Sequence, residues 1–352
     1  VKYSKEFVST ITIIIVASAL LSSCISFNKY AKIELLKNQH GMVVFGVSLS
    51  KNSMYLLSCE DSPGNLRKIL LVGNYMEDGK MQSARILRNP NLSPNGKEVV
   101  FIDIFSGFSG YPQYIVKMDI ATQKPQQIAG PGEYFLPSYS PKGNKIAFGV
   151  YGKTDIEQEK LEIYDLRSNE CIQYNYKMIR DPSWSLDGNE IVFSSGRSIC
   201  ILSADCKNMK EIKVDGFIHL NSGKKGKYVT LSSVFPSNIV LWSPKFSPDG
   251  KKIAFTYQDG NENGIYIIDR NGNLLKKLNL NTYRTVGIDW SPDGQQIVFA
   301  GYKETTYTML VNIYFPDGLY LVNIESGKIK LLFKDKNISP CNPQWWSFKS
   351  NS

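Results

Sequence analysis

The chain has 352 residues, of which 42% are hydrophobic and 21% charged, with 20 Tyr, 17 Phe and a formal net charge of +9. That apolar content excludes an intrinsically disordered chain and is enough to build a sizeable core. Length alone fits either two ordinary domains or one domain made of repeats.

At the N-terminus, Lys2 and Lys5 precede an apolar run from Phe7 to Leu21, and no charge falls between Glu6 and Lys29. This is the layout of an export signal. The run closes on Leu21-Ser22-Ser23-Cys24, and small residues before a cysteine at that place resemble the bacterial lipobox. The resemblance implies cleavage before Cys24 and a diacylglycerol on its thiol. The 22 uncharged residues from 7 to 28 could also cross a bilayer as an uncleaved anchor. Ser9, Thr10, Thr12, Ser18, Ser22 and Ser23 dilute the run and favour the lipoprotein. The expected organisation is a signal peptide at 1–23, a lipid-anchored tether at 24–41 and a folded domain at 42–352.

Both readings place the domain outside the cytoplasm, in a bacterial cell envelope. By resemblance to enterobacterial lipoproteins, an Asp after the cysteine would retain the protein at the inner membrane. Ile25 stands there instead, so the periplasmic face of an outer membrane is allowed. The chain opens on Val1 rather than Met, which points to a non-ATG start or one slightly upstream.

Beyond the tether, a short pattern recurs. It reads Leu92-Ser-Pro-Asn-Gly96, Tyr139-Ser-Pro-Lys-Gly143, Trp184-Ser-Leu-Asp-Gly188, Phe246-Ser-Pro-Asp-Gly250 and Trp290-Ser-Pro-Asp-Gly294. Each copy leads two residues later into an apolar triplet: Val99–Phe101, Ile146–Phe148, Ile191–Phe193, Ile253–Phe255 and Ile297–Phe299. A weaker copy begins at Val47-Ser48 and runs into Met54-Tyr-Leu56, and a last one starts at Trp346-Ser347. Successive anchors lie 45, 47, 45, 62, 44 and 56 residues apart, a spacing typical of propeller blades of four strands.

The letters predict the local geometry. Proline ends ladder pairing, the Asp/Asn-Gly step supplies a tight hairpin, and a triplet apolar at consecutive positions belongs to a strand buried on both faces. A third strand follows in each unit, closing on Asp119, Asp165, Asp205, Asp269 or Asn323, with fourth strands at Leu274–Leu278 and Ile329–Phe333.

These repeats resemble those of TolB-type propellers, relatives of the WD-repeat proteins, over roughly residues 42 to 347. The expected fold is an all-β, six-bladed propeller of four-stranded antiparallel blades, with seven blades as the alternative. The Trp346 unit is expected either to close the ring against strands around Lys32 to Leu36 or to begin a seventh blade. The segment Lys227–Ser232 inside the long step reads as a decayed unit or an inserted hairpin.

Candidate chemistry is sparse. Without Cys24, the cysteines 59, 171, 200, 206 and 341 form an odd, widely spaced set without CxxC pairing. Cys200 and Cys206 could meet across a hairpin, but buried free thiols in strands fit better. His40 and His219 are the only histidines, too few for a metal centre in a channel, and His219 reads as a satisfied strand residue. Asp259-Gly-Asn-Glu-Asn263 opens like a calcium loop, yet Arg270 occupies the position of the closing glutamate, so a polar turn is expected. Asp155, Glu157, Glu159 and Glu162 read as a solvated acidic loop. Lys224-Lys225-Gly-Lys227 is the one tight basic cluster, read as a charged hairpin tip. No G-x-S-x-G occurs, which excludes the hydrolases that carry similar propellers.

The function expected from these residues is non-catalytic, with no cofactor and no metal. The domain reads as a lipid-anchored scaffold that binds another envelope protein or a cell-wall component, with the membrane reached through Cys24 and no nucleic acid partner. The alternative is an enzyme acting on a sugar or peptide through channel-lining carboxylates.

Overall fold

The computed structural model describes residues 42–50, 53–59, 66–72, 85–105, 112–152, 159–213, 239–259, 262–280, 283–303, 318–334 and 340–346. Within them lie 24 strands in six four-stranded antiparallel sheets. Five sheets use four consecutive strands each. The first of these joins β4 (Arg85–Leu92), β5 (Glu98–Phe105), β6 (Gln113–Asp119) and β7 (Pro125–Gly132), and the second β8 (Tyr134–Tyr139), β9 (Lys145–Val150), β10 (Lys160–Asp165) and β11 (Cys171–Asn175). The third holds β12 (Ile179–Trp184), β13 (Glu190–Ser195), β14 (Ser198–Ser203) and β15 (Met209–Lys213). The fourth runs through β16 (Ile239–Phe246), β17 (Lys252–Asp259), β18 (Glu262–Asp269) and β19 (Leu274–Asn279), and the fifth through β20 (Tyr283–Trp290), β21 (Gln296–Lys303), β22 (Gly318–Asn323) and β23 (Ile329–Lys334).

The remaining sheet is composite. Its order is β24-β1-β2-β3, in which β24 (Pro340–Trp346) pairs with β1 (Met42–Ser50), followed by β2 (Ser53–Cys59) and β3 (Leu66–Val72). Of the two expectations for the Trp346 unit, ring closure holds, but the partner is β1 rather than a strand around Lys32 to Leu36: five blades are contiguous, and both ends of the folded chain share the other sheet. This pairing also corrects the first repeat. The hairpin at Val47–Met54 joins second and third strands, and the segment in the register of the other triplets is Val43-Val44-Phe45, which pairs with Trp345 and Gln344 as Val99-Val100 pairs with Leu92 and Asn91. The pattern at Trp346 therefore ends the inner strand of the first sheet rather than opening a new blade. The reason is hydrogen-bonding: a ring leaves its first sheet without an inner strand unless the last segment supplies one. The segments around residues 32–36 and 227–232, invoked for ring closure and for a seventh blade, lie outside the described residues, as does the cluster at 224–227.

The triplets do what their composition predicts. In the five contiguous blades every triplet residue is fully buried, and Phe101, Phe148, Phe193, Phe255 and Phe299 are the largest such side chains. Each core spans two blades: Val192 and Ile199 of the third pack with Phe246 and Phe255 of the fourth, and Ala254 and Ile265 of the fourth pack with Trp290 and Phe299 of the fifth. A second strand greasy on both faces is thus sandwiched between neighbours.

The conserved-looking letters of the hairpin also divide the work. The buried serine accepts a hydrogen bond from the backbone five residues on, as Lys252 N to Ser247 Oγ at 2.9 Å and Gln296 N to Ser291 Oγ at 2.8 Å, while its hydroxyl donates to Asp249 or Asp293 at 2.5 Å. Donation from serine and from backbone N–H groups holds the carboxyls of Asp187, Asp249 and Asp293 below the usual range. The glycine adopts φ near +70°, and an added Cβ at Gly143, Gly188 or Gly294 would sit 3.5–3.8 Å from the turn proline of the preceding blade. Turns of neighbouring blades therefore lie close together at these three junctions. Leu186 replaces that proline in the third blade, and Gly250, which follows it, has nothing within 4 Å.

At the other turn, Asp119, Asp165, Asp269 and Asn323 end their third strands and accept backbone N–H groups two to four residues on. In the third blade Ser203 takes that place, and Asp205, expected as the strand end, lies in the turn and accepts from Ser203.

Candidate binding site at the channel and its mouth

Six inner strands, β4, β8, β12, β16, β20 and β24, line a central channel. Each breaks its ladder at a bulge, between Arg88 and Asn91, Phe135 and Ser138, Arg180 and Ser183, Trp242 and Lys245, Thr285 and Ile288, and Cys341 and Gln344. The cause is in the sequence: Pro90, Pro137, Pro182, Pro244 and Pro343 cannot donate to the ladder. At the residue before the proline, Asn89, Asp181 and Ser243 take left-handed φ of 52–54°, a conformation that costs about 1–2 kcal/mol. The bulge turns the following side chain toward the next blade. A proline three residues before the hairpin serine in four blades, and four before Ser347, was the signal for this second repeat; the bulge of β20 has Gly287 and no proline.

The side chains so placed stitch the ring together. Gln344 Oε1 accepts Leu92 N at 2.9 Å, Asn91 Oδ1 accepts Tyr139 N at 2.9 Å, and Asp181 Oδ2 accepts both Ser243 N at 2.7 Å and its hydroxyl at 3.2 Å. Asp289 Oδ2 accepts Trp345 N at 2.7 Å. At the two other junctions an indole closes the gap, Trp184 Nε1 to Ser138 O at 3.0 Å and Trp290 Nε1 to Lys245 O at 3.1 Å. Every junction around the channel carries one such bond.

Two of these acceptors are carboxyl groups. Burial raises the carboxyls of both Asp181 and Asp289, opposed in each by the Lys245 ammonium and by the backbone N–H groups they accept. The two carboxyls and Lys245 come from successive blades, and Asp181 and Lys245 line a channel with only about 50 Å³ of free space. A ligand pocket needs roughly 300–1,000 Å³, so this one is too small for a sugar ring or a peptide. Both carboxylates are already engaged by neighbouring backbone, and among the described residues no group of His, Cys, Asp and Glu is placed to hold a metal.

The face where the inner strands begin is different. Arg180 lies 4.2 Å over the Phe135 ring and 4.6 Å over Tyr151, with its guanidinium 2.9 Å from Glu159. Glu159 and Glu162 were expected as solvated loop charges; instead Glu159 is largely buried against Arg180, and Glu162 is held by Lys160 at 3.0 Å and Gln173 at 2.9 Å. One residue from Asp181 and Ser243, which bond each other, stand Arg180 and Trp242. Trp242 is 43% exposed and Met178, two residues before Arg180, is 51% exposed. Large apolar side chains left open beside a fixed arginine are the composition of a protein-binding surface.

The remaining candidates fall as follows. Leu21, Ser22, Ser23 and Cys24, both histidines, Asp155 and Glu157 lie outside the described residues. Asp259 pairs with Glu262 at the end of the β17–β18 ladder, and residues 260–261 between them lie outside the described residues. Cys171, Cys200 and Cys206 are free. Cys200 is buried in β14, whereas Cys206 sits in a turn and Cys171 is exposed on an outer strand. Burial pushes the thiol of Cys200 up to about 12, which leaves it a poor nucleophile at neutral pH.

A ring of four-stranded blades stitched through its inner strands defines a β-propeller, and the hairpin repeat places it among those of TolB type. The comparisons agree: the chain is 31% identical over 275 residues to the Tol-Pal system protein TolB of Francisella tularensis subsp. mediasiatica, covering 69% of this chain and 58% of that one. The chain is a TolB-like propeller protein, and it spans less than two thirds of the curated relatives it matches. The crystal structure of TolB from Acinetobacter baumannii superposes with a TM-score of 0.60 at 17% identity, over 87% of this chain and 66% of that one. Hydrazine synthase of Kuenenia stuttgartiensis superposes at 0.58 with 12% identity, over 89% of this chain and 47% of the other. These two show the fold alone, and the second shows that it also occurs within an enzyme. No family model matches.

Proposed function

We propose that this protein is an exported, lipid-anchored and non-catalytic propeller that binds another protein of the bacterial envelope through the mouth of its channel, in a role related to the Tol-Pal system named for its relatives. The observation that carries this reading is the contrast between the two regions. The polar groups of the channel are spent on inter-blade bonds, while Trp242 and Met178 stand open at the mouth beside a pinned arginine. An anchor on Cys24 would hold the domain at the membrane by about 20 residues of tether, within reach of membrane-bound partners.

The test is crosslinking of the full chain in its native membrane, with a photoreactive residue at Trp242 and, as control, at Leu186 on the opposite face. A discrete adduct with an envelope protein at position 242, absent at 186, supports the reading. Equal or absent adducts at both positions overturn it.

A further inference from the structure

The outer strands of the blades differ in charge. At one register position, paired across from Lys117, Ile163, Ile201, Ile267 and Leu321, stand Gln126, Ile172, Lys210, Lys276 and Lys330 in successive blades. Strands β7 and β11 carry no charge, whereas β19 reads LLKKLN and β23 reads IKLLFK. The latter two hold four lysines and no carboxylate. Between the lysines, Leu275 is 50% exposed and Leu331 is 45% exposed. Lys276 Nζ donates to Glu325 O at 3.1 Å, which clamps the rims of these neighbouring blades into one surface.

Lysine on an edge strand has an ordinary use, to discourage pairing with other sheets. That use does not explain why β3, β15, β19 and β23 carry Lys or Arg while β7 and β11, which are edges too, carry none, nor why open leucines stand among the lysines of β19 and β23, where the neutral β11 has only Ile172 exposed. Basic groups interleaved with open leucines match a bilayer interface, where the leucines enter the headgroup boundary and the ammonium groups meet anionic lipid. A hydrated anionic polymer would use the lysines and leave the leucines unexplained.

We propose that the rim formed by β19 and β23 docks on an anionic bilayer and lays the propeller on its side against the membrane. This surface is separate from the channel mouth and does not depend on the partner assigned to it. Each lysine near such a surface contributes about five-fold in partitioning.

The experiment places the full chain on phosphatidylcholine vesicles doped with a photoactivatable phosphatidylglycerol and maps the lipid adducts. Comparing strands within one molecule cancels any attachment through the N-terminal apolar run. Adducts concentrated about five-fold or more in residues 274–279 and 329–334 over 125–132 and 171–175 support the proposal, with that excess lost in Lys330→Glu/Lys334→Glu. Even labelling around the ring, the same map when the probe is a phosphatidylcholine, or an unchanged map in the double variant overturns it. Since the wild-type map decides alone, a variant that fails to fold leaves the test intact.

Discussion

The charges of the channel allow a sharp test of what holds the ring together. Asn91 and Gln344 do with neutral amides what Asp181 and Asp289 do with carboxylates, accepting the backbone N–H of the next blade. Asp181→Asn keeps an oxygen for Ser243 and removes a charge whose burial is unfavourable, so its cost should stay within about 1 kcal/mol and its sign should favour the variant. Lys245→Met does the opposite. It removes the cation whose field favours the ionised form of both carboxyls; acting through that field rather than through a close ion pair, its loss should cost about 1 kcal/mol. The combination of Lys245→Met with Asp181→Asn and Asp289→Asn should recover most of that loss.

The pH dependence follows from the same shifts. Both carboxyls are raised above their ordinary 3.8 in the folded state, so the folded chain holds those protons more tightly than the unfolded one. Their contribution is therefore fully present below pH 3.8 and is lost as pH rises through the folded values. Relative to the Asp181→Asn/Asp289→Asn variant, the wild type should lose stability as pH climbs from 3.8 toward neutral. Urea titrations followed by tryptophan fluorescence measure all five chains. A Lys245→Met variant as stable as wild type, or an Asp181→Asn variant weakened by more than about 2 kcal/mol, would refute the reasoning.

Other outcomes are equally open to measurement. Phe255→Ala empties a fully buried site shared by two blades and should cost about 3–5 kcal/mol by denaturant titration. Ser247→Ala leaves Lys252 N without its acceptor and should cost about 1–2 kcal/mol. Leu186→Pro supplies the proline that the other hairpins set against a neighbouring glycine, and should stabilise by about 0.4–1 kcal/mol, seen as a rise in Tm. Cys24→Ala should leave an uncleaved precursor that takes up no labelled palmitate in cells, and uptake by that variant would remove the lipoprotein reading.

The blade repeat was legible because its causes are local. A serine, a proline and a glycine at fixed offsets make a hairpin wherever they occur, and a triplet apolar at consecutive positions demands cover on both faces. The first repeat was misassigned for the converse reason. Nothing local distinguishes the hairpin at Val47–Met54 from a first hairpin, and only the pairing of Trp345 with Val43 shows which strand lies inside. The inner-strand prolines were also visible, three or four residues before the hairpin serines in five of the six inner strands, yet their role depends on a side chain reaching the next blade. Arg180 gave no signal at all, because Phe135, Tyr151 and Glu159 reach it from another blade across more than 20 residues of chain.

The amino-acid sequence by itself determined that this protein is a propeller: turn chemistry and burial on both faces act within a few residues and repeat about every 45. Tertiary structure alone decided how the ring closes, which carboxylates are consumed in holding it and which aromatic groups stay open. Those outcomes depend on contacts between blades, and a contact between blades is set by where the ring brings two strands together, not by the letters of either one.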